Sequence, residues 1–221
     1  MKNSISTGTK IMLICSILFF QVSLYSQNIE KLYLHIPDHL NPVLTMQQRL
    51  ELVEYAKANQ GDTILNRYGN KTYLLLLDTL NQQIKVKNTS SSLFEMKVLY
   101  FPDGQPLVGL IRTVCAPVCH SMIQFYDTAW NVIPLQFNYP KAIDWLNVDS
   151  IQDSTIDVAY WQKILENTFV TLTFEEGSER LIANNNSLDF LNDTDRKIVT
   201  PFVKNQSILF RLQGETWIKE P

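Results

Sequence analysis

The sequence predicts a segregated α+β fold, with a largely antiparallel β-sheet built as a meander of hairpins and packed against two main helices. Three observations predict it. Apolar residues first recur at helical spacing, then switch to a period of 2 from Thr72 onward, with short turn signals between the runs. Helical spacing returns after Pro140 and is followed by more strand-like runs. The composition agrees with a folded domain, since 45% of the 221 residues are hydrophobic and 19% are charged, outside the disordered and collagen-like ranges.

Residues 1–26 read as a signal peptide that is removed. Lys2 and Lys10 supply a positive start, and Ile11 to Phe20 an apolar stretch of export length, too short to span a bilayer. Cleavage is expected between Ser26 and Gln27, because Ser26 is small and Gln27-Asn28 opens a polar start. Retention of the segment as a membrane anchor is the alternative. Cys15 is preceded by the bulky Met12-Leu13-Ile14, where a lipid-attachment site wants small residues. Removing two lysines and no acid takes the 19 basic residues to 17, against 22 acidic ones, a net charge of −5. Nucleic acid is therefore not an expected partner. Residues 27–221 are expected to form one α+β domain; division into two helix-plus-strands halves near 140–154 is the variant of that reading.

Ile29, Leu32 and Ile36 stand at three- and four-residue steps in a short amphipathic segment that Pro37 stops. Thr45 with Gln48 forms a capping-box pattern ahead of Met46, Leu50, Val53 and Ala56, which share one helical face, and Gly61 is placed to close that helix. Strands follow at Thr72 to Leu77, Gln83 to Lys87, Leu93 to Phe101, Leu107 to Val114, Ser121 to Tyr126 and Asn131 to Leu135. Ile84 and Val86 alternate with polar neighbours, the pattern of a sheet with one wet face. In the turn Pro102-Asp103-Gly104, proline presets φ and glycine supplies the permissive position. A short helical piece is expected at Ala142 to Leu146 and a second main helix at Thr155 to Glu166, capped by Ser154 and Asp157. The last strands are expected at Phe169 to Phe174, Arg180 to Ala183 and Ser207 to Leu212. Between them, Glu175 to Gly177 reads as a turn and the Asn/Asp-rich Asn184 to Asp195 as an exposed loop.

Cys115 and Cys119 form the sharpest constellation. An exported chain meets an oxidising compartment, so a structural disulfide is expected. Residues four apart in a continuous strand are too distant to bridge. A three-residue hairpin loop at Ala116-Pro117-Val118 solves this, pairing Cys115 with Cys119, Thr113 with Ser121 and Ile111 with Ile123. Free thiols remain an alternative, as do functional readings that enlist His120: a widened haem-attachment motif, a redox pair or a zinc site. The hairpin register sends His120 to the face opposite the cysteines, near Val114, Arg112 and Met122.

Other patterns carry less. His35 and His39 have the four-residue spacing of a helical metal pair, but Pro37 lies between them. Asp193 and Asp195 begin like a calcium loop that Lys197 and Val199 do not continue. No dinucleotide, P-loop, nucleophile-elbow or His-Glu-x-x-His pattern occurs. No cofactor and no metal are expected. Trp130, Trp145, Trp161 and Trp217 could each stack on a carbohydrate, anchor a protein partner or simply pack. Trp130 and Tyr126, which flank an Asp127-capped turn, and His120 are the residues singled out for ligand or partner contact. Asn-x-Ser/Thr sites stand at Asn70, Asn88, Asn185, Asn192 and Asn205.

Five segments in order also resemble a known family. They are Leu34-His-Ile-Pro-Asp-His-Leu40, Arg49-Leu-Glu-Leu-Val-Glu-Tyr55, Phe94-Glu-Met-Lys-Val-Leu99, Val114-Cys-Ala-Pro-Val-Cys119 and Phe125-Tyr-Asp-Thr-Ala-Trp130. Together they are similar to domain of unknown function 3256, a family of small exported Bacteroidetes proteins. The likeness covers about the first half of the mature chain, and Tyr68-Gly-Asn-Lys71 departs from its more glycine-rich stretch. The resemblance implies a periplasmic or surface location and a Gram-negative host, and carries no catalytic residues to transfer. The functional expectation is a non-catalytic module that binds a protein or envelope component. The alternatives are a hydrolase or thiol-disulfide enzyme centred on Cys115 and Cys119, and a purely structural accessory domain.

Overall fold

The computed structural model describes residues 28–147, 160, 167–204 and 206–220. The expected signal segment and all of the helix expected at 155–166 except Tyr160 lie outside the described residues. Two helices open the fold, α1 (Ile29–Leu34) and α2 (Met46–Lys57). Each begins where a side chain can take up orphan N–H groups. Asn28 Oδ1 accepts from Glu30 N and Lys31 N at 2.9 and 3.4 Å. The Thr45–Gln48 box closes reciprocally, at 3.1 Å to Gln48 N and 3.0 Å from Thr45 N.

The buried face of α2 is Arg49, Leu52 and Val53, rotated from the expected stripe, which leaves Met46 exposed. The rotation brings Arg49 onto the buried face. Its guanidinium is buried and donates to the carbonyls of Leu34, Ile36 and Leu44 at 2.8 to 3.2 Å, tying the α1–α2 connection to the helix. Asn59 at φ 53° takes the left-handed position expected of Gly61.

Seven strands then form an antiparallel meander in sequence order: β1 (Thr63–Leu65), β2 (Lys71–Asp78), β3 (Gln83–Thr89), β4 (Ser92–Tyr100), β5 (Pro106–Cys115), β6 (Cys119–Tyr126) and β7 (Val132–Ile133). A second antiparallel sheet has the order β11-β10-β9-β8, from β8 (Val170–Phe174), β9 (Arg180–Asn185), β10 (Ile208–Gln213) and β11 (Thr216–Lys219). Both expected glycine turns form, with Gly104 at φ 83° and Gly177 at φ 72°. The stretch expected as an exposed loop is largely ordered: Asn184 and Asn185 belong to β9, Ser187–Phe190 is a 3-10 turn, and α3 (Asp193–Val199) starts on an Asn192 cap.

The layers are helices, seven-stranded sheet, four-stranded sheet. Ile84, Val86, Phe94, Met96 and Val98 face the helices in one core, which α1 joins through Ile29, Leu32 and Tyr33. The opposite face meets the second sheet through Leu99, Leu107, Ile111 and Phe125, packed on Leu172, Phe174 and Trp217. The wet face expected from the alternation in β3 is therefore covered. Gln83 is 1% exposed, Glu95 3% and Lys97 2%.

Candidate functional site

The β5–β6 hairpin closes in the register that the cysteine spacing requires. Cys115 pairs with Cys119 in a disulfide, with Thr113 opposite Ser121 and Ile111 opposite Ile123. His120 pairs with Val114 as expected, yet its ring turns to the second sheet. Nδ1 accepts from Val170 N at 3.2 Å, and the ring packs against Tyr139 and Phe169. Cys119 opens a strand and not a helix, unlike the usual setting of a redox-active cysteine pair.

What His120 does is one part of a larger seam. β8 is the edge strand of its sheet, so the N–H groups on its outer side have no ladder partner. Three of them end on side chains of the larger sheet: Val170 N on His120, Leu172 N on Ser121 Oγ at 2.9 Å, and Phe174 N on Glu95 Oε1 at 2.9 Å. Glu95 also accepts from Gln83 Nε2 at 2.9 Å and from Thr173 Oγ1 at 2.8 Å, and lies 3.5 Å from Lys85 Nζ. Burial pushes its carboxyl above the ordinary glutamate range, and the Lys85 charge and these donors oppose the rise. A cleft of about 240 Å³ lined by Glu95, Lys85, Thr113 and Thr173 runs along the seam.

The second place of interest is the β6–β7 turn. Asp127 Oδ1 accepts from Ala129 N and Asn131 N, both at 2.8 Å, and Oδ2 accepts from Asn131 Nδ2 at 2.8 Å. The Asn131 amide, with those two N–H groups, holds the Asp127 carboxyl below its ordinary value. Inside this braced turn Trp130 sits at φ 68°, a region that bulky side chains rarely enter. Its indole packs on Tyr126 with ring centroids 5.8 Å apart. Across from it the α1 face places Asn28, Lys31, Leu32 and His35, and with Thr128 and Trp130 they line a groove of about 250 Å³. His35 Nδ1 lies 2.9 Å from Lys31 O, which can only accept, so Nδ1 carries the hydrogen and Nε2 is the acceptor of the neutral ring.

Of the residues singled out from sequence, Trp130 lines a groove, His120 serves the seam, and Tyr126 is 2% exposed, a core residue behind Trp130. The structure does not bring the three into one site. His35 is the C-cap of α1, and His39 follows in a turn, so their spacing is not helical. Asp193 and Asp195 form the first turn of α3, where Asp195 accepts from Tyr160 Oη at 2.8 Å. Among the described residues no three His, Cys, Asp or Glu side chains gather at metal-binding distance, and no helix is long and apolar enough to cross a membrane. Sequence reading missed Lys85 because the alternation in β3 assigned it to the wet face, and Glu95 because nothing in the sequence shows the strand that covers it. It missed Lys31 and His35 because only the docking of α1 places them beside Trp130.

No functionally curated protein matches the chain. A solved structure described as a domain of an uncharacterized protein from Porphyromonas gingivalis W83 superposes with a TM-score of 0.72 at 20% identity, covering 87% of this chain and 97% of that one. That likeness extends the two-sheet architecture to a second protein. The profile of the family described as protein of unknown function (DUF3256) matches residues 21–217, which take in the described helices, the Trp130 turn and both sheets up to the first half of β11. The chain is a member of the DUF3256 family.

Proposed function

We propose that the protein is an exported binding module that holds a saccharide ring of an envelope glycan in the groove between α1 and the β6–β7 turn. The observation that carries this reading is Trp130 at φ 68° on the wall of that groove. A non-glycine residue held in the left-handed region costs of order 1–3 kcal/mol, and such strain concentrates at ligand sites. Asp127 fixes the turn with three hydrogen bonds, so the indole is presented by a rigid frame. An aromatic face flanked by hydrogen-bonding groups suits a flat, hydroxyl-bearing ring, and Asn28, Lys31, His35 and Thr128 surround the indole with such groups.

The test is binding of the purified mature chain to immobilised envelope glycans, beside the Trp130→Ala variant. Binding by the wild-type chain that Trp130→Ala loses, at an unchanged melting temperature, supports the reading; equal binding by both chains refutes it. Intact mass of protein recovered from its native envelope tests export, with a chain starting at Gln27 as the expected result and an uncleaved Met1 start as the opposing one.

The hydrolase alternative draws its support from Glu95, a buried carboxyl with a raised pKa beside a cleft of about 240 Å³. Both of its oxygens already receive protein donors, which favours a fastening role over proton transfer. Hydrolytic turnover that disappears in Glu95→Gln, with the fold retained, would reverse that preference.

A further inference from the structure

Lys97 lies near the middle of β4 with its side chain directed into the seam, and it is 2% exposed. Its ammonium donates to Gln83 Oε1 at 2.9 Å and to Glu175 O at 3.5 Å. Among the described residues no carboxylate oxygen comes within 4.0 Å of it, and the nearby Glu95 pairs with Lys85 instead. Asp78, Glu95, Glu175 and Glu179 act on the ammonium only from longer range, and burial lowers its pKa. A buried charge without a contacting counter-ion is costly, and an ammonium has three hydrogens to place. Two are accounted for.

The lysine also borders a cleft of about 250 Å³. One wall is the β2–β3 turn with Leu80, another the end of β4 with Val98 and Tyr100, and the third the β8–β9 turn with Ser178 and Glu179. Leu80 is 92% exposed and lines the cleft, where it offers apolar surface to a ligand. Most of the polar groups around the cleft are already occupied. Asp78 accepts from Leu80 N, Asn81 N and Asn81 Nδ2, and Gln82 Oε1 accepts from Ile29 N at 2.9 Å. Glu179 is exposed at the rim. The cleft thus brings together a buried lysine in its wall, an exposed carboxylate at Glu179 and an apolar side chain at Leu80. Its volume lies below the roughly 300–1,000 Å³ usual for drug-sized ligands.

We propose that this cleft binds an apolar α-amino acid, whose carboxylate becomes the counter-ion of Lys97, whose ammonium meets Glu179 and whose side chain packs on Leu80 and Tyr100. It shares no lining residue with the Trp130 groove. Acidic neighbours disfavour polyanions but leave room for a zwitterion.

Calorimetric titration of the mature chain with leucine, leucinamide and N-acetylleucine tests this. Leucine is expected to bind saturably, leucinamide at least about tenfold more weakly because it lacks the carboxylate, and N-acetylleucine more weakly because it lacks the ammonium. Glu179→Gln should weaken leucine and leave N-acetylleucine unchanged. Lys97→Met should abolish binding; should that variant not fold, the ligand series on the unaltered chain still decides, and Leu80→Ser, at an exposed position, should weaken leucine without altering the melting temperature. Absence of saturable leucine binding at millimolar concentration, or equal affinity for leucine and leucinamide, overturns the proposal. Tighter binding of N-acetylleucine than of leucine also overturns it, and points to a peptide C-terminus instead.

Discussion

The two faces of the seven-stranded sheet hold their neighbours by different physics. Toward the helices, Ile84, Val86, Phe94, Met96 and Val98 form a continuous apolar surface that tolerates many docking geometries. Toward the second sheet, β3 and β4 offer Gln83, Lys85, Glu95 and Lys97, and each bond from this group to β8 has a defined partner. Non-directional burial supplies most of the stabilisation on the first face. Directional bonds on the second fix where β8 can lie, at a desolvation cost that apolar packing around them offsets.

The largest expected effect comes from the helix face. Phe94→Ala removes a ring packed on Tyr33 with centroids 5.9 Å apart and should cost about 4 kcal/mol in urea unfolding. A similar loss on both faces would show that the two layers unfold together. On the other face, the Cβ of Gly109→Ala would meet Phe174 Cζ at 2.6 Å, and that ring is buried. This substitution should destabilise by roughly 1–3 kcal/mol and shift the near-ultraviolet signal of the second sheet more than that of the helix side. Opening the Cys115–Cys119 bond by paired serine substitution should cost about 2 kcal/mol, read as a lower denaturant midpoint, because the ring it closes is short.

The smallest effects concern pH and differ in sign. Glu95 has a raised pKa in the folded chain, so its contribution is full below the unfolded carboxylate value and declines as pH rises through the raised one. The stability of the wild type relative to Glu95→Gln should therefore increase on acidification. Asp127 has a lowered pKa, so its contribution is present above the ordinary value and lost as pH falls through the lowered one. Relative to Asp127→Asn, the wild type should lose stability on acidification. Parallel pH series of thermal melts on the two pairs check both signs, and matching slopes would contradict this account of Glu95.

Much of this architecture was legible in the sequence. The meander from β2 to β6 was readable to within a residue or two at most strand ends, because alternation and the glycine turn at 102–104 act locally. The hairpin register followed from the cysteine spacing once a disulfide was expected. Short elements escaped: β1 has three residues, β11 has four, and α3 was hidden in an Asn/Asp-rich stretch although Asn192 with Asp193 and Asp195 is itself a helix-start signal. The division into two sheets was not legible, since a polar residue facing water and one facing a polar seam leave the same letters in the chain. Glu95 and Lys97 show the limit most clearly, for what makes them unusual is the chain that covers them. Trp130 was visible as a candidate, whereas its backbone strain and its opposing helix face belong to the tertiary structure.

The side-chain acceptors along β8 also bear on how this protein behaves in concentrated solution. A bare strand edge is a template on which other chains can polymerise. Here His120, Ser121 and Glu95 occupy the outward amides of β8 without adding another strand. A variant that loses them need not unfold to become harmful: a momentary lifting of β8 would present three adjacent donors to any extended segment nearby. Removal of these three acceptors is therefore expected to lower solubility as well as melting temperature.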